Sequence, residues 1–396
     1  MSQKPISRSR DLKRLRDEGY DLEIRSGYLL VKDVPYVNSA KQVKRGTLVS
    51  KLILAGDVTV RPDDHVAHFM GEHPCREDGK EIDQIKNESA RRELAGDVVV
   101  DHRFSAKPQP SGFYEDYYAK VTQYATILSG YAQVIEPGVT AKTFRPVGAG
   151  EDGEEAVFKY IDTASSRAEI TSVTEKLATM KKIAIVGLGG TGAYVLDLVA
   201  KTPVLEIHLF DGDALLQHNA FRSPGAASID ELKAQPSKAA YFRNIYAKMR
   251  NGIVLHEIYV GAENVDQLQD MNFVFLCMEG PSKKLIIERL EVFGIPFVDV
   301  GMGVYLSGGS LGGILRVTAS TPAQRDHVRS RISFSDDADR NEYAVNIQIA
   351  DLNAVNAALA VIKWKKLVGF YQDLDHEHHS TYTIGGNMLL NEDHQP

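Results

Sequence analysis

Cysteine is scarce in this chain, with two in 396 residues. A disulfide framework is therefore excluded, which fits a reducing cytoplasm, and an all-cysteine structural zinc site lacks its four thiolates. No run of about 18 apolar residues occurs, so no membrane-spanning helix is expected. The basic start, "MSQKPISRSRDLKRLRDEGY", has no apolar core behind it and does not read as a secretion signal. Positive charge is not in excess either: the net charge of −7 speaks against a general nucleic-acid binder. What remains, 43% apolar and 25% charged residues, is the balance of an ordinary soluble globular protein. At roughly 100–200 residues per domain the length suggests two domains.

Composition along the chain agrees. The short β-branched runs "YLLVKDVPYV", "GTLVSKLILAGDVTV" and "GDVVVDHRFS", separated by Gly, Pro and Asp, predict strands. One helix is expected in "FYEDYYAKVTQYATILSGYAQVI". These belong to a smaller β-rich α+β accessory domain over residues 1–145. The Gly- and acid-rich "PVGAGEDGEEA" then marks a linker at about 146–156, and "TASSRAEITSVTEKLATM" a lead-in helix, so that linker and helix together cover 146–180. From 181 to 396 strands alternate with helices: "KIAIVG", "EIHLFD", "IVLHEIYV", "FVFLCM" and "PFVDVG" against "TGAYVLDLVAK", "SKAAYFRNIYAKM" and "SKKLIIERLEVF". That order implies βαβ units and a Rossmann-like, mostly parallel sheet with buried strands. A glycine-rich antiparallel pair, "GVYLSGG" and "LGGILRVT", follows, and a long helix in "IQIADLNAVNAALAVIKWKKLVGF" closes the pattern.

The first strand of the second domain ends in "GLGGTG", a G-x-G-x-x-G at Gly187, Gly189 and Gly192 with Gly190 between them. Glycines there allow a tight turn and let backbone N–H groups approach a phosphate at a helix N-terminus. The Lys-Ser/Thr ending of a P-loop is missing. Asp211 ends the next strand, about 20 residues on, where an acid holds a ribose hydroxyl in either a dinucleotide or an ATP site. Up to this point an NAD-binding Rossmann oxidoreductase and an adenylating enzyme are equally served. Then come Asp213, Asn219, Arg222 and Lys238 in order. Activation of a carboxylate by ATP builds charge on the α-phosphate and on departing pyrophosphate, which calls for fixed cations and usually Mg²⁺. Arg offers a planar fork to phosphate oxygens and Lys a point charge.

The series "VGLGGTG…DGD…HNAFR…QPSK" resembles the ThiF/HesA/MoeB family, the adenylation fold shared with ubiquitin-activating enzymes. Its pattern places Asn six residues after the second Asp and Arg three later, as Asp213, Asn219 and Arg222 do here; Lys238 lies slightly farther on than usual. The resemblance covers roughly residues 160–318 well. It implies ATP-dependent adenylation of the C-terminal carboxylate of a ubiquitin-like or sulfur-carrier protein, a homodimer, and a possible downstream conjugating enzyme. It implies Asp211 on the ribose, Asn219, Arg222 and Lys238 on phosphates, Asp213 as a further polar site residue, and Arg167 in "SSRAEI" as the upstream arginine that family members supply, often across a dimer.

Two departures stand out. The family's Cys-Thr-Asp-Asn sequence, whose Asp binds Mg²⁺, is "CMEG" here, so Glu279 takes the metal position; a degenerate, non-catalytic scaffold is the alternative that this change supports. Members that form a thioester carry a cysteine after the fifth strand, and none occurs from Gly301 to Pro396. Cys277 reads as a small core residue and Cys75 lies in the other domain. The enzyme is therefore expected to stop at the acyl-adenylate, with Ser330, Ser333 or Ser335, near His327, as the other possible acyl acceptors. The glycine-rich pair suits a surface for an extended, small-residue tail. "DHEHHS" is expected to be a polar segment with solvated histidines, and the late "IGG" a turn.

Overall fold

The computed structural model describes residues 4–149, 156–334 and 347–391. Part of the expected linker and Ser335 lie outside these described residues. The elements group into two compact units.

The N-terminal unit begins with helices α1 (Lys4–Arg8) and α2 (Arg10–Asp17). It continues through strands β1 (Asp21–Arg25), β2 (Tyr28–Val37), β3 (Val43–Lys51), the short pair β4 (Leu54–Ala55) and β5 (Val58–Thr59), β6 (Val66–Met70), β7 (Lys86–Ala95) and β8 (Val98–Ser105). Six of them form an antiparallel sheet in the order β1-β2-β3-β6-β8-β7. Helix α3 (Tyr117–Ile135) is capped by Asp116, which accepts from Ala119 N at 2.7 Å. Tyr117, Val121, Tyr124 and Leu128, at helical spacing, join one buried core with Phe69 and Phe104 of the sheet. "GTLVSKLILAGDVTV" therefore spans three strands and not one, because the β4–β5 turn at Ala55–Val58 folds its second half back on itself. The lead-in helix is also interrupted. It divides into α4 (Thr163–Arg167) and α5 (Thr171–Ala178), with Glu169 between them at a left-handed φ of 57° that no α-helix continues through.

The C-terminal unit alternates as expected: β9 (Lys182–Val186), α6 (Gly190–Val199), β10 (Glu206–Phe210), α7 (Gln217–Ala220), α8 (Ile229–Ala234), α9 (Lys238–Tyr246), β11 (Ile253–His256), β12 (Phe273–Leu276) and α10 (Ser282–Phe293). Then come the hairpin β13 (Phe297–Ser307) and β14 (Ser310–Ser320), α11 (Val328–Arg331), α12 (Ala350–Leu367), β15 (His379–Thr383) and β16 (Met388–Asn391). The eight-stranded sheet runs β11-β10-β9-β12-β13-β14-β15-β16. Pairings from β11 to β13 are parallel and those from β13 to β16 antiparallel. Strand order reverses direction at β9, whose neighbours are β10 and β12. This is the switch point where open α/β sheets leave a crevice at the strands' carboxyl ends.

Helix α12 packs on α6 and β13, and Trp364 is fully buried against Phe273 and Phe275, with ring centroids 6.4 and 6.0 Å away. The histidines of "DHEHHS" depart from expectation. His376 is exposed, but His378 and His379 are buried, because β15 pairs with β14 and brings His379 Nδ1 to 3.0 Å from Thr318 Oγ1. "IGG" forms the β15–β16 turn, closed by Asn387 N donating to Ile384 O. Among the described residues no helix is long and apolar enough to cross a membrane.

Candidate functional site

The glycine turn lies at the switch point, between the end of β9 and the start of α6. Gly187 has a positive φ of 89°, and a Cβ there would lie 2.7 Å from the Cys277 carbonyl oxygen. A Cβ on Gly192 would lie 1.9 Å from Gly187 O, so α6 could not seat its first turn against the strand end. Gly189, the N-cap of α6, differs: among the described residues a Cβ there would meet nothing within 4 Å, so this glycine faces open space.

Asp211 follows β10 and is buried. Its Oδ2 accepts from Leu188 N at 2.6 Å and its Oδ1 from Asp213 N at 2.8 Å, which ties the glycine turn to the next strand's loop. Burial raises its pKa above the usual carboxylate value, although Lys238 and the two backbone donors work against that. Lys238, also buried, opens α9 behind an N-cap formed by Ser237. Its Nζ is 2.6 Å from Asp213 Oδ2 and 3.9 Å from Asp211 Oδ1. The Tyr259 hydroxyl also donates to Asp213. Burial would raise the Asp213 pKa, but its hydrogen bonds to Lys238 and Tyr259 outweigh this and hold it below its usual value.

Asn219 sits on α7 and is 4% exposed. Its Oδ1 accepts from Leu216 N at 2.9 Å, while its amide nitrogen has no hydrogen-bond partner among the described residues. Arg222 follows α7. Asn353 of α12 links this segment to the turn: its Oδ1 accepts from Thr191 Oγ1 at 2.9 Å, its Nδ2 donates to Arg222 O at 3.3 Å, and a Cβ on Gly190 would lie 2.1 Å from that nitrogen. His218 is held below the ordinary histidine value by burial and then by the Arg222 and Lys238 cations.

The structure thus brings Gly187, Gly189, Gly190, Gly192, Asp211, Asp213, Asn219, Arg222 and Lys238 into one constellation. Arg167 ends α4, an element of the N-terminal unit. Glu279 follows β12 with its carboxylate 2.9 Å from Lys283 Nζ. Among the described residues no three His, Cys, Asp or Glu side chains gather to hold a metal ion. Mg²⁺ beside a nucleotide asks for only one or two carboxylates, but the Glu279 carboxylate is already balanced by the Lys283 ammonium, and that pairing does not fit a protein-held Mg²⁺. Ser330 donates to the His327 backbone carbonyl at 2.9 Å, while His327 Nε2 lies 2.8 Å from Ala319 O, so the imidazole is not aimed at that hydroxyl. Ser333 is exposed. Neither thiol is poised to react: burial raises Cys277 strongly, and burial followed by the Glu81 and Asp78 charges raises Cys75.

Sequence reasoning missed Asn353 and Tyr259. Both come from segments far from the turn, and an Asn in a long helix or a Tyr after a strand carries no signal of its own.

Residues 163–383 match the family described as the ThiF family, and residues 10–163 match one described only as a domain of unknown function, DUF6791. No curated protein matches the chain. Solved structures similar to it include E. coli MccB with MccA-N7isoASN, at 16% identity over 58% of this chain and 71% of that one, with a TM-score of 0.47. E. coli MccB with ATP follows at 17% identity, 56% and 65% coverage and a TM-score of 0.43. PaaA is similar at 18% identity, 58% and 68% coverage and a TM-score of 0.39. This chain thus spans about two thirds of the length of each.

Proposed function

Because the chain belongs to the ThiF family, we propose that its C-terminal unit uses ATP to adenylate the C-terminal carboxylate of a ubiquitin-like or sulfur-carrier protein. The carboxylate oxygen attacks the α-phosphorus, the bond to the β-phosphate bridging oxygen breaks, and acyl-adenylate and pyrophosphate are formed. The observation that carries this reading is the polar set tied to the glycine turn: buried Asn219, whose amide nitrogen has no acceptor among the described residues, buried Lys238, 3.9 Å from the Asp211 that holds Leu188 N, and Arg222, whose carbonyl Asn353 links to Thr191. A dinucleotide pyrophosphate is met largely by backbone N–H groups and needs no such set.

In this reading the turn and the α6 N-terminus take phosphate oxygens. Asp211 is already oriented by two backbone donors and accepts a ribose hydroxyl on its remaining lone pairs. Asn219 supplies its amide hydrogen, while Arg222 and Lys238 stabilise charge that develops at the α-phosphate and on the leaving group. Lys238 exchanges part of its bond to Asp213 for phosphate, which leaves Tyr259 to hold that carboxylate. Arg167 is the arginine that a second copy would contribute in a homodimer. The acyl-adenylate is the end product on this chain, handed to a downstream acceptor or conjugating enzyme; Ser330, Ser333 and Ser335 are the oxyester alternatives. The N-terminal β-rich unit, over about residues 1–145, serves as an accessory module, and two free thiols, one buried and one partly buried, suit the cytoplasm.

ATP–pyrophosphate exchange in the presence of candidate ubiquitin-like proteins tests this reading. Exchange is expected with the true partner, and Arg222→Ala or Lys238→Ala should lower it by about 10²–10³, as loss of one charge-stabilising donor does elsewhere. Absence of exchange with every partner, together with no ATP binding, would leave a scaffold. Tight NAD binding without exchange would transfer the site to redox chemistry.

A further inference from the structure

Beside the glycine turn, just past β12, four charged side chains form a chain of contacts. Glu279 lies 2.9 Å from Lys283 Nζ, and that ammonium lies 3.0 Å from Asp299 Oδ1. The other oxygen of Asp299 accepts from Arg316 Nη2 at 2.7 Å. The Asp299 side chain is wholly buried, that of Lys283 is 2% exposed and that of Glu279 44%. The cluster adjoins the turn, since a Cβ on Gly187 would touch Cys277 O and the Cβ of Met278, and Glu279 is the next residue. Among the described residues the contacts join two carboxylates and two cations.

We infer that the Lys283 ammonium fills the place between Glu279 and Asp299 that a divalent cation would otherwise take, so that this nucleotide site keeps no metal on its own side chains. A lysine ammonium is disfavoured here unless the carboxylates hold it. It lies in the first turn of α10, where the helix dipole opposes a cation, and it is removed from water, which opposes one further. Two carboxylates within 3.0 Å offset both costs. A divalent ion would have to expel the ammonium from between both carboxylates. Mg²⁺ also wants a near-octahedral set of oxygens, and an ammonium only donates. The inference rests on the ATP reading only for the expectation of a metal at Glu279; its test uses no turnover.

Mn²⁺ is titrated into the full-length protein without nucleotide, and free Mn²⁺ is followed by electron paramagnetic resonance. Wild type and Glu279→Gln should bind Mn²⁺ equally weakly. Lys283→Ala, which bares both carboxylates, should gain a site of about one ion per chain, and Lys283→Ala/Glu279→Gln should lose it again. Circular dichroism confirms that each variant is folded. A wild-type Mn²⁺ site that disappears in Glu279→Gln overturns the inference, and so does a folded Lys283→Ala that gains none. If Lys283→Ala does not fold, the wild type against Glu279→Gln comparison decides alone. Neither result depends on pyrophosphate exchange, so failure here and failure of the adenylation reading remain distinguishable.

Discussion

Arg250 shows how much of this fold depends on one side chain that no motif announces. It is 1% exposed and donates to the backbone carbonyls of Thr202 at 3.1 Å, Leu205 at 3.2 Å and Asn251 at 2.9 Å, and also to Val204. The Thr202, Val204 and Leu205 carbonyls belong to the chain that leaves α6 and enters β10, and that of Asn251 to the connection before β11, where regular structure cannot satisfy them. Burial pushes the guanidinium down to about 10, still charged at neutral pH. Arg250→Ala leaves several buried acceptors unmet, so the C-terminal unit should lose about 3 kcal/mol in urea unfolding, at roughly 1–3 kcal/mol for each unsatisfied group and with partial relaxation. Arg250→Lys should restore little, because three donors on one nitrogen cannot reach carbonyls spread over a guanidinium fork.

At the scale of elements, the β9–α6 turn makes two separable demands on its glycines. Gly192→Ala sets a methyl against Gly187 O and should lower both the melting temperature and nucleotide affinity. Gly189→Ala meets no protein atom, so it should fold normally and weaken only the binding of a fluorescent ATP analogue; equal melting losses in the two variants would contradict this division. The same turn explains what could be read in advance. Glycines, Asp211, Asp213, Asn219, Arg222 and Lys238 lie within about fifty consecutive residues, so their spacing survives as a pattern. Asn353, Tyr259 and the Lys283–Asp299–Arg316 contacts join segments that only the sheet order brings together. Strand β7, "KNESARRELA", escaped notice because its composition is polar and its residues are mostly exposed; pairing with β8, interrupted by register shifts, makes it a strand. Helices α1 and α2 were missed because each is under three turns long, too short to show a period.

For the molecule as a whole, each unit has its own core, and the chain's single tryptophan, Trp364, lies in that of the C-terminal unit. Its fluorescence therefore reports the unfolding of the unit to which the nucleotide site is assigned. ATP at about one hundred times its dissociation constant should stabilise that transition by about 2.7 kcal/mol, and an unmoved transition at saturating ATP would place the binding elsewhere. The Thr191–Asn353 bond has a further consequence, one that unfolding experiments on finished protein do not see. Its partners stand 162 residues apart, so at about 5–20 residues per second a ribosome needs roughly 8 to 32 s to deliver the second after the first. Throughout that interval β9 and its glycine turn exist as nascent chain without the helix that braces them, and the apolar face destined for α12 is open to chaperones.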